Sequence, residues 1–158
     1  MEKLKSLLLP LALVFAAIAV FEVGARYGAA NMRAYAITGE LRLPLSIYVQ
    51  SREATPPEAL ESIALMVDSG IATGATHRGL WYLNREARAQ LDEVLAYAIA
   101  VRGDALIERY EQEPVDGSSL EGISASRLRE IRKALRETKR ELVDEAPSVA
   151  AEDAAPAP

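Results

Sequence analysis

The pattern of apolar and polar positions changes character several times along the chain. Ser6–Phe21, SLLLPLALVFAAIAVF, carries no charge over 16 residues and follows a short basic start with Lys3 and Lys5. Sixteen helical residues rise about 24 Å, against a hydrocarbon core of roughly 30 Å. Counting Leu4 at one end and Val23, Gly24 and Ala25 at the other brings the segment close to spanning length, with Glu22 near the interface. The order of basic start, apolar core and long polar remainder is that of an exported protein. It predicts either a retained signal anchor or a cleaved signal peptide. Ala17-Ile18-Ala19 and Gly28-Ala29-Ala30 are the two small-residue sites available for cleavage. No Gly or Pro breaks the helix just before Ala19, and helical spacing continues through Phe21, Gly24, Gly28, Met32 and Tyr35, which favours retention. Lys3 and Lys5 are nearly balanced by Arg26 and Arg33 across the segment, so charge alone sets the orientation only weakly.

Beyond residue 36 the period shifts. Leu41, Leu43, Leu45, Ile47 and Val49 alternate with other positions, the period of two expected for an extended strand. Pro44 confines such a strand to an edge. Three forms are compatible with residues 36–54: an extended strap on the helices, a short helix starting at Pro44, or a strand added to another protein's sheet. TPPEALESIALMVDSG then predicts a helix capped by Thr55, with Pro56 in its first turn, Glu58 completing a capping box, an apolar stripe of Leu60, Ile63, Ala64 and Val67, and Gly70 as its stop. Residues 71–79, IATGATHRG, predict a loop, with Thr76 capping the next helix. Residues 77–112 predict one long helix loosened at Gly103. Its apolar face is Leu80, Leu83, Ala87, Leu91, Val94, Ala98, Val101 and Ala105, and its back carries Ala89, Ala96 and Ala100. Trp81 and Tyr82 are expected to cover the end of the core.

Residues 113–124 form a linker by composition. Residues 125–145 form an amphipathic helix, capped by Ser124 or Ser126, with Leu128, Ile131, Leu135, Thr138 and Leu142 in a heptad-like seam. Arg129, Arg132, Lys133, Arg136, Lys139 and Arg140 share one flank, and Glu130, Glu137, Glu141, Asp144 and Glu145 share the other. The tail, 146–158, is too rich in Ala and Pro to form a core and is expected to be disordered. The whole is an all-α protein: a single membrane helix and its extension (1–35), the strap or short helix (36–54), a helical hairpin core (55–112), the linker, and the carboxy-terminal helix.

Composition narrows the chemistry. Half of the residues are hydrophobic and only 6% aromatic, with alanine and leucine dominant. The formal charge of −5 argues against nucleic-acid binding. There is no cysteine, hence no thiolate metal site and no cysteine nucleophile, and His77 stands alone as an imidazole. No phosphate-binding loop, zinc-protease, calcium-loop or serine-hydrolase motif occurs. The sequence therefore predicts a non-enzyme without cofactor or metal.

The function expected is that of a membrane-anchored, non-catalytic interaction or scaffold subunit of a bacterial envelope complex. It would sit in the inner (cytoplasmic) membrane by a single pass, with the carboxy-terminal domain on the outer side. Its expected contacts are the lipid bilayer and a protein partner or second copy; a small-molecule ligand is not expected. Two surfaces are candidates for the protein contact. One is the small-residue ridge of Gly24 and Gly28, beside Ala25 and Ala29, which permits close helix approach. The other is the carboxy-terminal helix, with Leu128, Ile131, Leu135 and Leu142 as seam and Arg132 and Arg136 setting register. The alternative is an exported sensor or small-ligand-binding bundle lined by Trp81, Tyr82 and Tyr97.

Overall fold

The computed structural model describes residues 2–52, 56–112 and 123–145. Among them every regular element is a helix: α1 (Glu2–Ser51), α2 (Pro57–Arg78), α3 (Arg85–Arg102), α4 (Asp104–Gln112) and α5 (Ala125–Lys139), which ends in a π-helical turn, Arg140–Asp144. The predicted linker and tail, and the Thr55 cap, fall outside or almost entirely outside the described residues.

The largest departure from expectation is α1. It runs 50 residues without a break, about 75 Å at 1.5 Å per residue. Residues 41–49 are helical, as one of the three expected forms had it, but as part of α1 rather than a short helix starting at Pro44, and they are neither strap nor strand. The leucines that alternate in sequence separate cleanly at helical spacing. Leu41 and Leu45 join Ala30, Ala34 and Ile37 in the core, while Leu43 and Ile47 turn outward. A period-two run of leucines contains a period-3.6 stripe, and only the bundle to be covered decides which one is used. Pro44 lies inside the helix, where it removes one backbone hydrogen bond, a loss offset by the packing on either side of it.

α2 begins at Pro57, with Pro56 as the flanking residue, one position later than predicted. It then continues through the stretch expected to be a loop. Gly70 is not a stop and Gly74 is not in a loop; both lie inside α2 as points of close approach. A Cβ at Gly70 would meet the Leu41 side chain at 2.8 Å, and one at Gly74 would meet Leu95 at 2.9 Å. The two glycines let α2 sit tightly between α1 and α3. Thr76 does not cap a following helix; its hydroxyl bonds back to the carbonyls of Ala72 and Thr73.

The predicted long helix 77–112 is three pieces. A turn, Gly79–Asn84, separates α2 from α3. Asn84 caps α3, its side chain accepting from the Ala87 N–H at 2.7 Å. Gly103 then ends α3 at φ 59°, ψ −148°, a conformation open essentially to glycine alone. α5 starts as expected at Ser124, whose hydroxyl accepts from the Arg127 N–H at 3.3 Å.

The core lies where α1, α2, α3 and α5 meet, around Ile37, Leu41, Val67, Ile71, Leu91, Leu95, Ile99, Leu128 and Leu135. One buried ion cluster crosses it. Asp68, 2% exposed, accepts from Arg102 at 2.6 and 3.0 Å and lies 3.5 Å from Arg109. Arg102 also donates to the Tyr48 hydroxyl at 2.8 Å, which ties α1, α2, α3 and α4 together. The hydrogen bond to Asp68 outweighs burial and raises the Arg102 pKa above its already high ordinary value.

Candidate interaction surfaces

From Pro10 to Ala29 every residue of α1 is exposed. An 18-residue window of this helix has a mean hydropathy of 1.6, and none of it is buried by the rest of the chain. One helix among the described residues is thus long and apolar enough to cross a membrane. The bundle begins directly after it. Ala30 and Asn31 are buried, and from there α1 is both the extension of the apolar segment and a wall of the core.

A polar junction fixes that transition. The Asn31 side chain donates to the Tyr27 carbonyl at 2.7 Å and accepts the Asn84 backbone N–H at 2.8 Å. His77, in the last turn of α2, donates through Nε2 to the Ala30 carbonyl at 2.8 Å. Its proton is thereby committed to a structural bond between α2 and α1. Arg88 donates to the carbonyls of Arg78 and Leu80 at 2.8 Å each, closing the end of α2. Arg78 spans to Asp92 and Glu141, both at 2.6 Å. Burial opposes the Arg78 charge, but these two hydrogen bonds outweigh it and raise the pKa; Arg78 in turn holds the Glu141 carboxyl below its ordinary value.

Of the two surfaces singled out in the sequence, one is open and the other is taken. Gly24 and Gly28 lie on exposed helix with nothing within 4 Å of a Cβ added at either, so close approach of another helix is sterically open there. The carboxy-terminal seam is differently placed from expectation. Leu128, Ile131, Leu135 and Thr138 are buried against the chain's own helices, and Leu142 is half-buried against the same core. The register charges likewise work within the chain. Arg132 donates to the carbonyls of Tyr110 and Glu111 at 2.7 and 3.2 Å, and Arg136 to the Glu111 carboxylate at 2.8 Å. The 3–4 spacing of the seam is what docks α5, but onto α2, α3 and α4. Sequence alone shows that such a stripe must be covered, not by what.

The aromatic residues considered as a ligand lining do not converge. Tyr97 faces a cleft beside Leu45 and Val49 of α1, while Trp81 and Tyr82 are at the turn beside Tyr27. Among the described residues no group of three or more acidic or histidine side chains could hold a metal ion.

The surface that sequence reasoning missed is the outside of α1. Met32, Ala36, Gly39, Leu43 and Ile47 recur at three to four residues on the side opposite the core, and all are exposed, Met32 at 71% and Leu43 at 68%. The same line runs back through Gly28, Ala25, Phe21, Ile18 and Val14. One stripe of small and large apolar residues therefore extends from the apolar segment out along the bundle. A helix reading continued past residue 36 would have found it; the leucine alternation concealed it. No protein family, curated protein sequence or solved structure matches the chain.

Proposed function

We propose that the chain is a non-catalytic, membrane-anchored interaction subunit, with α1 as a retained anchor in a cytoplasmic membrane and the bundle held on its outer side. The eight large side chains from Leu11 to Val23 that stand exposed would each forgo about 1.5–3 kcal/mol if left in water. Their sum, about 12–24 kcal/mol as an upper bound, is at or above the whole stability of a typical domain, so a bilayer is the environment this helix needs.

The observation that carries the interaction role is the unbroken outer stripe of α1. It continues from the proposed membrane segment past Met32, Leu43 and Ile47. The partner it fits is a second helix that crosses the same bilayer and continues out of it, meeting the small residues Ala25, Gly28, Ala36 and Gly39 at close range. Because the chain has no cysteine, Leu43→Cys gives a unique crosslinking site. In native membranes it should form an adduct with a membrane-inserted protein, while Glu93→Cys, on an exposed face of α3, should not. The mass of the adduct distinguishes a second copy from a different subunit. Unchanged native assembly in a Met32→Glu/Leu43→Glu variant, together with no adduct at Leu43→Cys, would discard the proposal.

A further inference from the structure

Trp81 is the only tryptophan and, at 85%, the most exposed large hydrophobic residue described, more so than Phe21 (75%) in the apolar segment itself. It is not loosely held. The turn that carries it is closed by Arg88 on the carbonyls of Arg78 and Leu80, and by Leu83, which is buried in the core. The Asn84 N–H bonds Asn31 of α1, and Tyr82 meets the Trp81 ring edge to face at 5.2 Å. A stapled turn that pushes its largest apolar side chain outward has a surface to meet.

The position of the turn identifies that surface. Trp81, Tyr82 and Leu83 flank Val20, Val23, Gly24, Arg26 and Tyr27 of α1, across an open cleft of about 840 Å³. On α1 this is the level where the charge-free stretch gives way to Glu22 and then Arg26. If α1 crosses a bilayer, Trp81 stands at the height of the lipid headgroups and glycerol esters, where an indole has its apolar ring in hydrocarbon and its N–H among polar groups. Tyr27 and Tyr82 bring two phenols to the same level. Arg26 lies there too, paired with Glu22 at 2.9 Å, and the exposed Arg85 directly after the turn adds a cation suited to anionic headgroups.

We infer that the Gly79–Asn84 turn is a second membrane contact, with Trp81 seated in the interfacial layer of phospholipid and the cleft beside α1 occupied by lipid chains. This inference rests on α1 being a membrane anchor. Its consequence is orientation: two attachment points, α1 and the turn, stop the bundle from swivelling about the anchor and hold the outer stripe of α1 toward one direction in the membrane plane.

The single tryptophan makes the test direct. The full chain is reconstituted in vesicles of phosphatidylcholine and phosphatidylglycerol, with acyl chains brominated either near the headgroup or near the bilayer centre. Trp81 emission should be blue-shifted, fall by about half with shallow bromine and fall less with deep bromine, as for an interfacial indole. A Trp81→Phe/Phe21→Trp variant reports on the anchor separately. If position 21 is quenched while Trp81 stays unquenched and open to acrylamide, the turn does not touch lipid and the inference fails while the anchor stands. Blue-shifted Trp81 emission without bromine quenching means protein covers the turn, and also overturns it. If neither position is quenched, the anchor reading falls and takes the inference with it.

Discussion

Removal of Arg102 gives the sharpest test of how the bundle is held together. Arg102→Met keeps most of the aliphatic stem and deletes the charge. Asp68 then remains 2% exposed with only Arg109, at 3.5 Å, opposite it. Stranding one partner of a buried ion pair costs about 3–5 kcal/mol. Arg109 is about one-third exposed and can move toward Asp68, so the lower end, about 3 kcal/mol, is expected. For a bundle of this size that is a fall in Tm on the order of 10–15 °C. The converse change, Asp68→Leu, leaves Arg102 with the Tyr48 hydroxyl and a route to solvent along its stem, and should cost less. The informative variant is Asp68→Leu/Arg102→Met. It replaces the pair by apolar groups and should recover most of the loss, landing within about 1–2 kcal/mol of the parent, because the pair's attraction does little more than offset its own desolvation.

The assay is urea unfolding of the full chain in mild detergent micelles, followed by circular dichroism. The slope against urea must stay constant so that midpoints compare stability alone. An Arg102→Met cost below about 1 kcal/mol would mean that the cluster is not desolvated. A double variant costing the sum of the two singles would mean that Asp68 and Arg102 act independently. Either result refutes a desolvated, coupled ion pair at the centre of the bundle.

Four further outcomes rest on particular residues. Leu128→Ala or Leu135→Ala should destabilise the bundle by about 2–5 kcal/mol, read in the same urea assay, because both lie in its core, whereas Leu43→Glu on the outer stripe should change it by less than about 0.5 kcal/mol. Gly103→Ala should cost about 1–3 kcal/mol in that assay through its positive φ alone, since the added methyl would point into open space. Asn31→Ala leaves the Asn84 N–H without its acceptor and should cost about 1–3 kcal/mol, with faster hydrogen exchange at Asn84 than at amides in mid-α3. Glu141 has its pKa lowered in the folded state, so its contribution is present above the unfolded carboxyl pKa and is lost as pH falls through the folded value. The Tm gap between the parent and Glu141→Gln should therefore be open near neutral pH and close as the pH falls below about 4.

The helical class, the apolar first segment and a serine cap at 124 or 126 could be read from residues, because each rests on local chemistry; Gly103 was legible as a loosening, but it ends α3 outright. Periodicity failed where two periods coexist. The apolar positions of 41–49 satisfy a strand and a helix equally, and what selects the helix is that Leu41 meets α2 at Gly70 and Leu45 is buried in the core. Glycine misled at 70 and 74 for a related reason. In isolation it weakens a helix and marks a stop, but here its lack of a side chain is what lets α2 approach Leu41 and Leu95. The α5 seam shows the limit of amphipathicity as a guide to partners. Leu128, Ile131 and Leu135 announce a covered face, and Arg132 and Arg136 announce register. Neither distinguishes a helix of the same chain from one of another. The stripe left open, Met32 to Ile47, becomes legible once residues 36–51 are read as helix, but which stripe of that helix stays uncovered shows only after its core face is known.

The continuity of α1 also bears on whether the anchor is kept. The two small-residue sites that could be cut are both inside the helix. A cut after Ala30 would place a new amino-terminal charge on Asn31, which is 6% exposed and uses both ends of its amide on Tyr27 and Asn84. The same cut would divide the carbonyl to which His77 donates from the helix that positions it. A buried, unpaired ammonium costs several kcal/mol, so processing there would work against the junction that joins α1 to α2 and α3. A cut after Ala19 spares the junction but leaves Val20, Phe21, Val23 and Tyr27 exposed on a released domain, next to Trp81. That is an apolar patch without a bilayer to cover it, and such patches drive association. The proposed retention of the anchor is thus the arrangement in which the junction stays intact and the apolar collar around Trp81 stays in lipid. In that proposal one continuous helix would serve as membrane span, core wall and outer docking face.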